Sequence, residues 1–192
     1  LTLVFISGIS LTIFLTVFTV SIFILFYLIF FVDKFGYIKN RVFSFFDPNT
    51  GTHNFQSEKA IEAISSGGFF GKGIGEGTLK NRVPEAHTDY IVSVISEEFG
   101  IVFIILLLFI FLFLIYTVFK RIYLEKDEKV KLILTGLITL IISQALIHLG
   151  VNIRLFPTTG MTLPYLSYGG SSIIGMSILS GIILNLTKRK VV

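Results

Sequence analysis

Residues 84–98 place four carboxylates and a histidine where a long polar segment meets an apolar run: Glu85, His87, Asp89, Glu97 and Glu98. Charge beside a run long enough to lie in a membrane is costly, and a chain that keeps it there commonly uses it. Asp89 falls at the expected water boundary, where partial desolvation would raise its pKa and let it act as a general base on a hydroxyl. The structural alternative is that Asp89 only offsets the N-terminal dipole of a helix.

The other titratable groups of this stretch suggest different roles. Asp89, Ser93 and Glu97 recur every four residues and so share one helix face, with Glu97 about 12 Å deeper at the helical rise. We expect Glu97 and Glu98 to pair with Lys or Arg in the bundle. His87 could be a base or a metal ligand, but its spacing from the other histidines matches no metal motif, and no metal site is predicted.

Basic and glycine-rich residues precede the acidic stretch. Lys80 and Arg82 could bind phosphate, although solvated loop charges explain them equally well. The glycine-rich strip lacks the Lys-Ser/Thr pair of a nucleotide-binding loop, and no strand precedes it. It comprises Gly67, Gly68, Gly71, Gly73, Gly75 and Gly77. We interpret the strip as a flexible loop or as close backbone packing, with amides that face a pyrophosphate as a further alternative.

The elements that must position these residues are transmembrane helices. Hydrophobic residues make up 53% of the 192-residue chain and charged residues 15%, where a soluble domain has about a quarter charged residues. We predict an all-α polytopic membrane protein, one transmembrane domain over residues 1–192 with spans at about 10–32, 91–119, 132–153 and 168–187. Because the chain opens inside an apolar segment, we expect it to be the C-terminal piece of a larger protein.

Residues 33–88 form one large loop between the first two spans. Within it the sequence predicts an amphipathic interfacial piece at 37–46, a turn at Asp47-Pro48-Asn49 and a helix at 54–65. At its end, Thr88 is predicted to cap a helix that begins at Asp89.

The third span carries a polar stripe of Gln144, His148 and Asn152, which recur every four residues. In lipid such a stripe should turn inward. We favour interhelical hydrogen bonds that hold the bundle together, with the lining of a substrate cavity as the alternative.

Charge distribution predicts the topology. Residues 120–131 and 188–190 are the most basic segments near spans, and two spans separate them, so both can be cytoplasmic. The loops 33–88 and 154–166 then face outward. This clustering is typical of membrane topology rather than nucleic-acid binding, and the absence of cysteine excludes disulfides.

Two long motifs resemble the SEDS family (shape, elongation, division and sporulation proteins): FDPN…NFQSEKAIEAISSGGFFGKGIGEGTLKNRVPEAHTDYIVSVISEEFG and RLFPTTGMTLPYLSYGGSS. They lie in the family's order and spacing, and the resemblance runs from about Arg41 to Arg189. The second motif is closer to the cell-division branch than to the elongation branch. Family members have roughly ten spans, so the four predicted here would be a fragment of that fold.

The resemblance implies a peptidoglycan glycosyltransferase of the bacterial cytoplasmic membrane, with its active face outside and no cofactor beyond an optional divalent cation. The implied substrate is lipid II, and the implied base is Asp89, matching the family's loop aspartate. The implied partners are a class B penicillin-binding protein, other division proteins and membrane lipids. Implied or suspected substrate contacts are Gln56, Lys80, Arg82, Glu85, His87, Arg154, Ser167 and Ser171.

Several positions depart from the family pattern: Tyr90 replaces Phe, Phe55 replaces Tyr, Lys59 replaces Gln, His148 replaces Asn, and Thr159 replaces Lys. The last of these puts a lysine-dependent role near Thr159 in doubt. Two other functions stay open at this point. A lipid II transporter would use the polar stripe inside the bundle, and a scaffold would recruit division proteins without catalysis.

Overall fold

A computed structural model describes residues 10–46, 52–83 and 85–188. Its helices are α1 Leu11–Phe31, α2 Gly36–Phe46, α3 Thr52–Gly67, α4 Leu79–Arg82, α5 Ile91–Leu124, α6 Glu128–Asn152 and α7 Gly170–Thr187, with a 3₁₀ turn at Asp33–Phe35. Four of them, α1, α5, α6 and α7, are long and apolar enough to cross a membrane. The predicted all-α polytopic fold is confirmed. The predicted turn at Asp47-Pro48-Asn49 lies outside the described residues.

Three of the long helices pack as a bundle. The core between α5, α6 and α7 is formed by Val118, Leu134, Ile138, Ile141, Met176 and Ile183. Close van der Waals packing of this kind is the main force that joins helices in lipid. Helix α1 stands apart, with no buried residue, so its uncharged surface is left for lipid or for other polypeptide.

The glycine-rich strip packs into a break in α5. Gly100 interrupts the helix with φ 79° and ψ 179°, and the strip supplies the hydrogen bonds that the helix loses there. The donor–acceptor pairs are Ile101 N–Gly68 O (3.0 Å), Val102 N–Phe69 O (3.4 Å), Lys72 N–Glu97 O (2.9 Å) and Gly73 N–Glu98 O (3.1 Å). Close backbone packing is therefore confirmed. The pyrophosphate alternative is wrong for the Lys72 and Gly73 amides, because helix carbonyls already occupy them.

The segment 153–169 re-enters the bundle instead of staying at its surface. His148 donates from Nδ1 to the Met161 carbonyl at 2.8 Å, and Gln144 donates to the Thr162 carbonyl at 2.8 Å. Gln144 lies two helical turns, about 12 Å, before the end of α6. The predicted outward loop at 154–166 is thus corrected in part. Backbone at this depth needs protein partners, and the polar stripe supplies them, which confirms its hydrogen-bonding role.

Candidate active site

Asp89 lies in a series of turns just before α5. The Glu85 carbonyl accepts the amides of Thr88, Asp89 and Tyr90, at 3.2, 3.0 and 3.3 Å. Helix α5 begins at Ile91 with Tyr90 as its N-cap residue, so the predicted start at Asp89 with a Thr88 cap is wrong. The Thr88 hydroxyl instead donates to the Glu85 carboxylate at 2.8 Å. These turns leave the Asp89 side chain outside the helix, free to point into a cavity.

Asn152, the last residue of α6, fixes this turn. Its Nδ2 donates to the carbonyl oxygens of Asp89 and His148, both at 2.9 Å. Its Oδ1 accepts from the amide and hydroxyl of Ser93, at 3.1 and 2.8 Å. With 1% of its surface exposed, Asn152 is a buried amide with both ends satisfied, and it ties the end of α6 to the start of α5.

A small apolar core packs against the turn that carries Asp89. Its members come from α3, α4, the turns and the ends of α5 and α6: Ala60, Ala63, Leu79, Val83, Ala86, Tyr90, Val94 and Val151. Tyr90 is fully buried there. Because the residue next to Asp89 is held in the core, the Asp89 backbone has little freedom to move.

The Asp89 carboxylate opens into a cavity of about 500 Å³. The cavity is lined by Arg41, Gln56, Glu85, Thr88, Asp89, Thr158, Gly160, Thr162, Tyr168 and Gly169. Three of the predicted site residues, Gln56, Glu85 and Asp89, are therefore brought together. The re-entrant segment 153–169 supplies half of the wall, but not through Arg154 or Ser167, the two residues of this segment that were predicted to contact the substrate.

Burial and charge both act on Asp89. Burial raises the pKa of the Asp89 carboxyl above its ordinary value, the nearby Glu85 charge raises it further, and Arg41 lowers it. Within the described residues, no donor forms a hydrogen bond with this carboxylate. A half-buried carboxylate with a raised pKa and unused lone pairs is suited to accept a proton from a bound hydroxyl.

Arg41 is the charged residue of the site that sequence reasoning missed. It lies on α2, lines the cavity, and donates from Nη1 to the Thr158 carbonyl at 3.2 Å. The available signal was its place as a basic residue in the amphipathic segment 37–46, but nothing in that pattern connected it to Asp89.

The predicted phosphate-binding cations lie elsewhere, each beside a glutamate. Lys80 contacts Glu98 at 3.0 Å, Arg82 approaches Glu62 at 3.9 Å, and Arg154 approaches Glu58 at 3.6 Å. Arg82 lines a separate cavity of about 160 Å³. None of the three lines the cavity of Asp89.

The deeper acids have the structural role that was predicted for them. Glu97, 1% exposed, accepts from Lys72 Nζ at 2.8 Å, from the Thr78 hydroxyl at 3.1 Å and from the Leu79 amide at 2.9 Å. Glu98 pairs with Lys80. Their predicted pairing is confirmed, and the two carboxylates clamp the segment 72–80 against α5.

The remaining predicted contacts lie at the edge of the site. His87 is exposed, and its carbonyl accepts the Tyr168 amide at 3.0 Å. Ser167 is buried and bridges the Leu163 amide and the Thr88 carbonyl, both at 2.8 Å. Ser171 is exposed in the first turn of α7. Ser167 therefore holds the re-entrant segment against the Asp89 turn, whereas the structure gives Ser171 no such role.

Comparison with known proteins identifies the family. Residues 1–191 match the family of FtsW, RodA and SpoVE, described as "Cell cycle protein". The chain is 40% identical over 157 residues to a "Probable peptidoglycan glycosyltransferase FtsW" of Caulobacter vibrioides, covering 81% of this chain and 40% of that protein. A protein of the same name from Geobacter metallireducens is 37% identical over 169 residues, covering 85% of this chain and 44% of the relative.

A solved structure has the same fold. It comes from work on "Structural coordination of polymerization and crosslinking by a peptidoglycan synthase complex", and it matches with a TM-score of 0.69 at 26% identity. The match covers 96% of this chain and 51% of the solved chain, so the chain spans about half the length of the proteins that it resembles. The predicted SEDS membership is confirmed: this integral membrane chain belongs to the FtsW/RodA/SpoVE family of cell cycle proteins.

Proposed function

We propose that this chain carries the catalytic base of a peptidoglycan glycosyltransferase that polymerises lipid II into β-1,4-linked glycan strands at the division septum. The observation that carries the proposal is the Asp89 carboxylate, half-buried in a cavity of about 500 Å³ and held by its backbone. The names of the relatives support the reaction class.

The proposed step is an inverting displacement. Asp89 accepts the proton of the 4-hydroxyl of the acceptor GlcNAc, and that oxygen forms a bond to the anomeric carbon of the donor MurNAc. The bond from this carbon to the pyrophosphate oxygen breaks, and its electron pair leaves with undecaprenyl pyrophosphate. The α-linked donor thus becomes a β-linked product.

The proposed orientation places the cavity on the outer face of the cytoplasmic membrane. The cavity lies where α5 begins and α6 ends, whereas the basic residues 120–131 lie at the opposite ends of these helices. Positively charged connections favour the cytoplasmic side. The proposed partners are a class B penicillin-binding protein and other division proteins, which the synthase complex of the structural neighbour supports.

The structure weakens the argument for a lipid II transporter. The polar stripe that suggested a carrier is engaged by the re-entrant segment and by the Asp89 turn. A scaffold, in contrast, gives no reason to hold a carboxylate of raised pKa in a cavity. The geometry therefore favours the enzyme.

Three readouts of the full-length parent protein separate these functions. Asp89→Asn should abolish glycan-strand synthesis from purified lipid II while leaving the association with the transpeptidase intact. Asp33→Asn, which removes the same charge from the 3₁₀ turn after α1, is the matched control and should polymerise normally. A transporter would move lipid II across vesicles without any polymerisation, and a scaffold would support division equally well as Asp89→Asn.

A further inference from the structure

The cavity that holds Asp89 contains one cationic side chain among the described residues, that of Arg41. A guanidinium offers five N–H donors in a planar fork that matches phosphate oxygens. In Arg41 one of its nitrogens bonds to a protein carbonyl, that of Thr158. Most of its donor capacity is therefore left for a ligand.

Four neighbouring cations each have a glutamate carboxylate within 4.0 Å. The pairs are Lys72–Glu97, Lys80–Glu98, Arg82–Glu62 and Arg154–Glu58. Arg41 has no carboxylate within 4.0 Å in the part of the chain that the structure describes. Among the described residues that line the cavity, Arg41 is therefore the cation that an entering anion would meet, and it has no carboxylate partner there.

Arg41 and Asp89 are also separated in a way that suits inversion. They line the same cavity and act on each other electrostatically, but they form no ion pair within 4.0 Å. In an inverting displacement the nucleophile and the leaving group occupy opposite faces of the reacting carbon, so a base and a leaving-group ligand must be apart. A direct ion pair between the two would leave no space for the sugar.

We infer that Arg41 binds the pyrophosphate of the lipid-linked donor, replacing Lys80, Arg82 and Arg154 as the cation expected to do so. This inference rests on the proposed function, since it names the group that holds the leaving side of the same reaction. As the bond to the anomeric carbon breaks, the electron pair stays on the pyrophosphate, and Arg41 offsets the charge that develops there.

Binding of the product tests this directly. The full-length parent protein in nanodiscs is titrated with undecaprenyl pyrophosphate and, separately, with undecaprenol, which lacks the anion. Arg41→Gln should weaken binding of the pyrophosphate about 10- to 100-fold, as expected for loss of a charge-assisted contact, and leave undecaprenol binding unchanged. Arg41→Lys should bind the pyrophosphate with an affinity between those of the wild type and Arg41→Gln, because lysine keeps the charge but lacks the paired donors of the guanidinium.

Lys39→Gln is the matched control. It removes the same charge from the same helix, but Lys39 lies 5.7 Å from the Phe30 ring and does not line the cavity, so it should bind as the wild type does. The inference is overturned if Arg41→Gln binds undecaprenyl pyrophosphate normally, or if it loses undecaprenol to the same extent.

Polymerisation kinetics separate this inference from the proposed function. If Asp89→Asn is inactive and Arg41→Gln retains the wild-type KM for lipid II, only the role of Arg41 fails. If Asp89→Asn polymerises normally, the assigned base fails, whatever the binding data for Arg41. A third outcome would be that Arg41→Gln raises the KM for lipid II but not for lipid II that lacks its peptide. That result would mean that Arg41 binds a peptide carboxylate, and it would contradict binding of the pyrophosphate.

Discussion

The Nδ2 atom of Asn152 lies 2.9 Å from the carbonyl oxygen of Asp89, so the last residue of α6 holds the backbone of the proposed base. The same amide accepts from the backbone and hydroxyl of Ser93 in the first turn of α5. The position of the Asp89 carboxylate therefore depends on a residue that does not line its cavity.

Asn152→Ala should lower kcat at least tenfold with little change in KM, because small misplacement of a catalytic group is costly while the cavity wall stays intact. It should also destabilise the protein by about 1–3 kcal/mol, since buried donors and acceptors lose their partner. Steady-state polymerisation and thermal unfolding of the full-length parent measure both. An increase in KM alone would contradict a positioning role.

The pH profile of polymerisation should report Asp89. The base must be deprotonated, so activity should fall as pH drops through the Asp89 pKa, at a higher pH than for an ordinary aspartate because burial and Glu85 raise it. Glu85→Gln should shift this acidic limb to lower pH and Arg41→Gln should shift it to higher pH. Shifts in the same direction for both variants would contradict the electrostatic account.

The same pKa has a consequence for stability, with a definite sign. The folded pKa of Asp89 lies above its unfolded value, so the ionised carboxylate opposes folding at neutral pH, and this cost is relieved as pH falls through the folded pKa. Asp89→Asn should therefore not lower the thermal stability at neutral pH. Clear destabilisation of Asp89→Asn would mean that the carboxylate has a structural partner.

The break in α5 should tolerate no side chain. A Cβ at Gly100 would lie 2.2 Å from the Phe69 carbonyl oxygen, and its φ of 79° is unfavourable for other residues. The backbone strain alone should cost about 1–3 kcal/mol. We expect the clash with Phe69 to add to this cost in Gly100→Ala. Gly175→Ala, in α7 with open space at the Cβ, is the control and should be neutral or slightly stabilising. Equal melting temperatures for the two variants would show that the strip does not need the break.

Glu97 and Lys72 should be strongly coupled in their effects on the free energy of unfolding. Lys72 Nζ lies 2.8 Å from a carboxylate that is almost fully buried. Glu97 would keep its hydrogen bonds from Thr78 and Leu79 but lose its charged partner, so Lys72→Met should destabilise the protein by about 1–3 kcal/mol. In a double-mutant cycle with Glu97→Gln, the two effects should be far from additive. Additive effects would contradict the direct pairing.

Much of the site followed from local patterns. The polar stripe predicted hydrogen bonds because three polar residues on one face of an apolar helix need partners, and Glu97 and Glu98 were assigned to ion pairs by their depth. The interruption of α5 was not predicted, because the apolar run after Gly100 is consistent with a continuation of the helix that starts before it. A single glycine does not reveal that another backbone segment will supply the missing hydrogen bonds.

The composition of the cavity could not be predicted from spacing. Arg41 and Asp89 are far apart in sequence, and a re-entrant segment brings Thr158 and Gly160 between them. The start of α5 was placed two residues early for a similar reason. Asn152, from a different span, fixes the Asp89 carbonyl in a turn, and such a distant partner has no local signature.

The central claim is that the Asp89 carboxylate takes the proton in glycan polymerisation. The most direct measurement is kcat for lipid II polymerisation by the full-length Asp89→Asn protein at saturating substrate and with its transpeptidase partner bound. General-base catalysis predicts a loss of about 10²- to 10⁴-fold with KM nearly unchanged. A kcat within a few-fold of the wild type would contradict the claim.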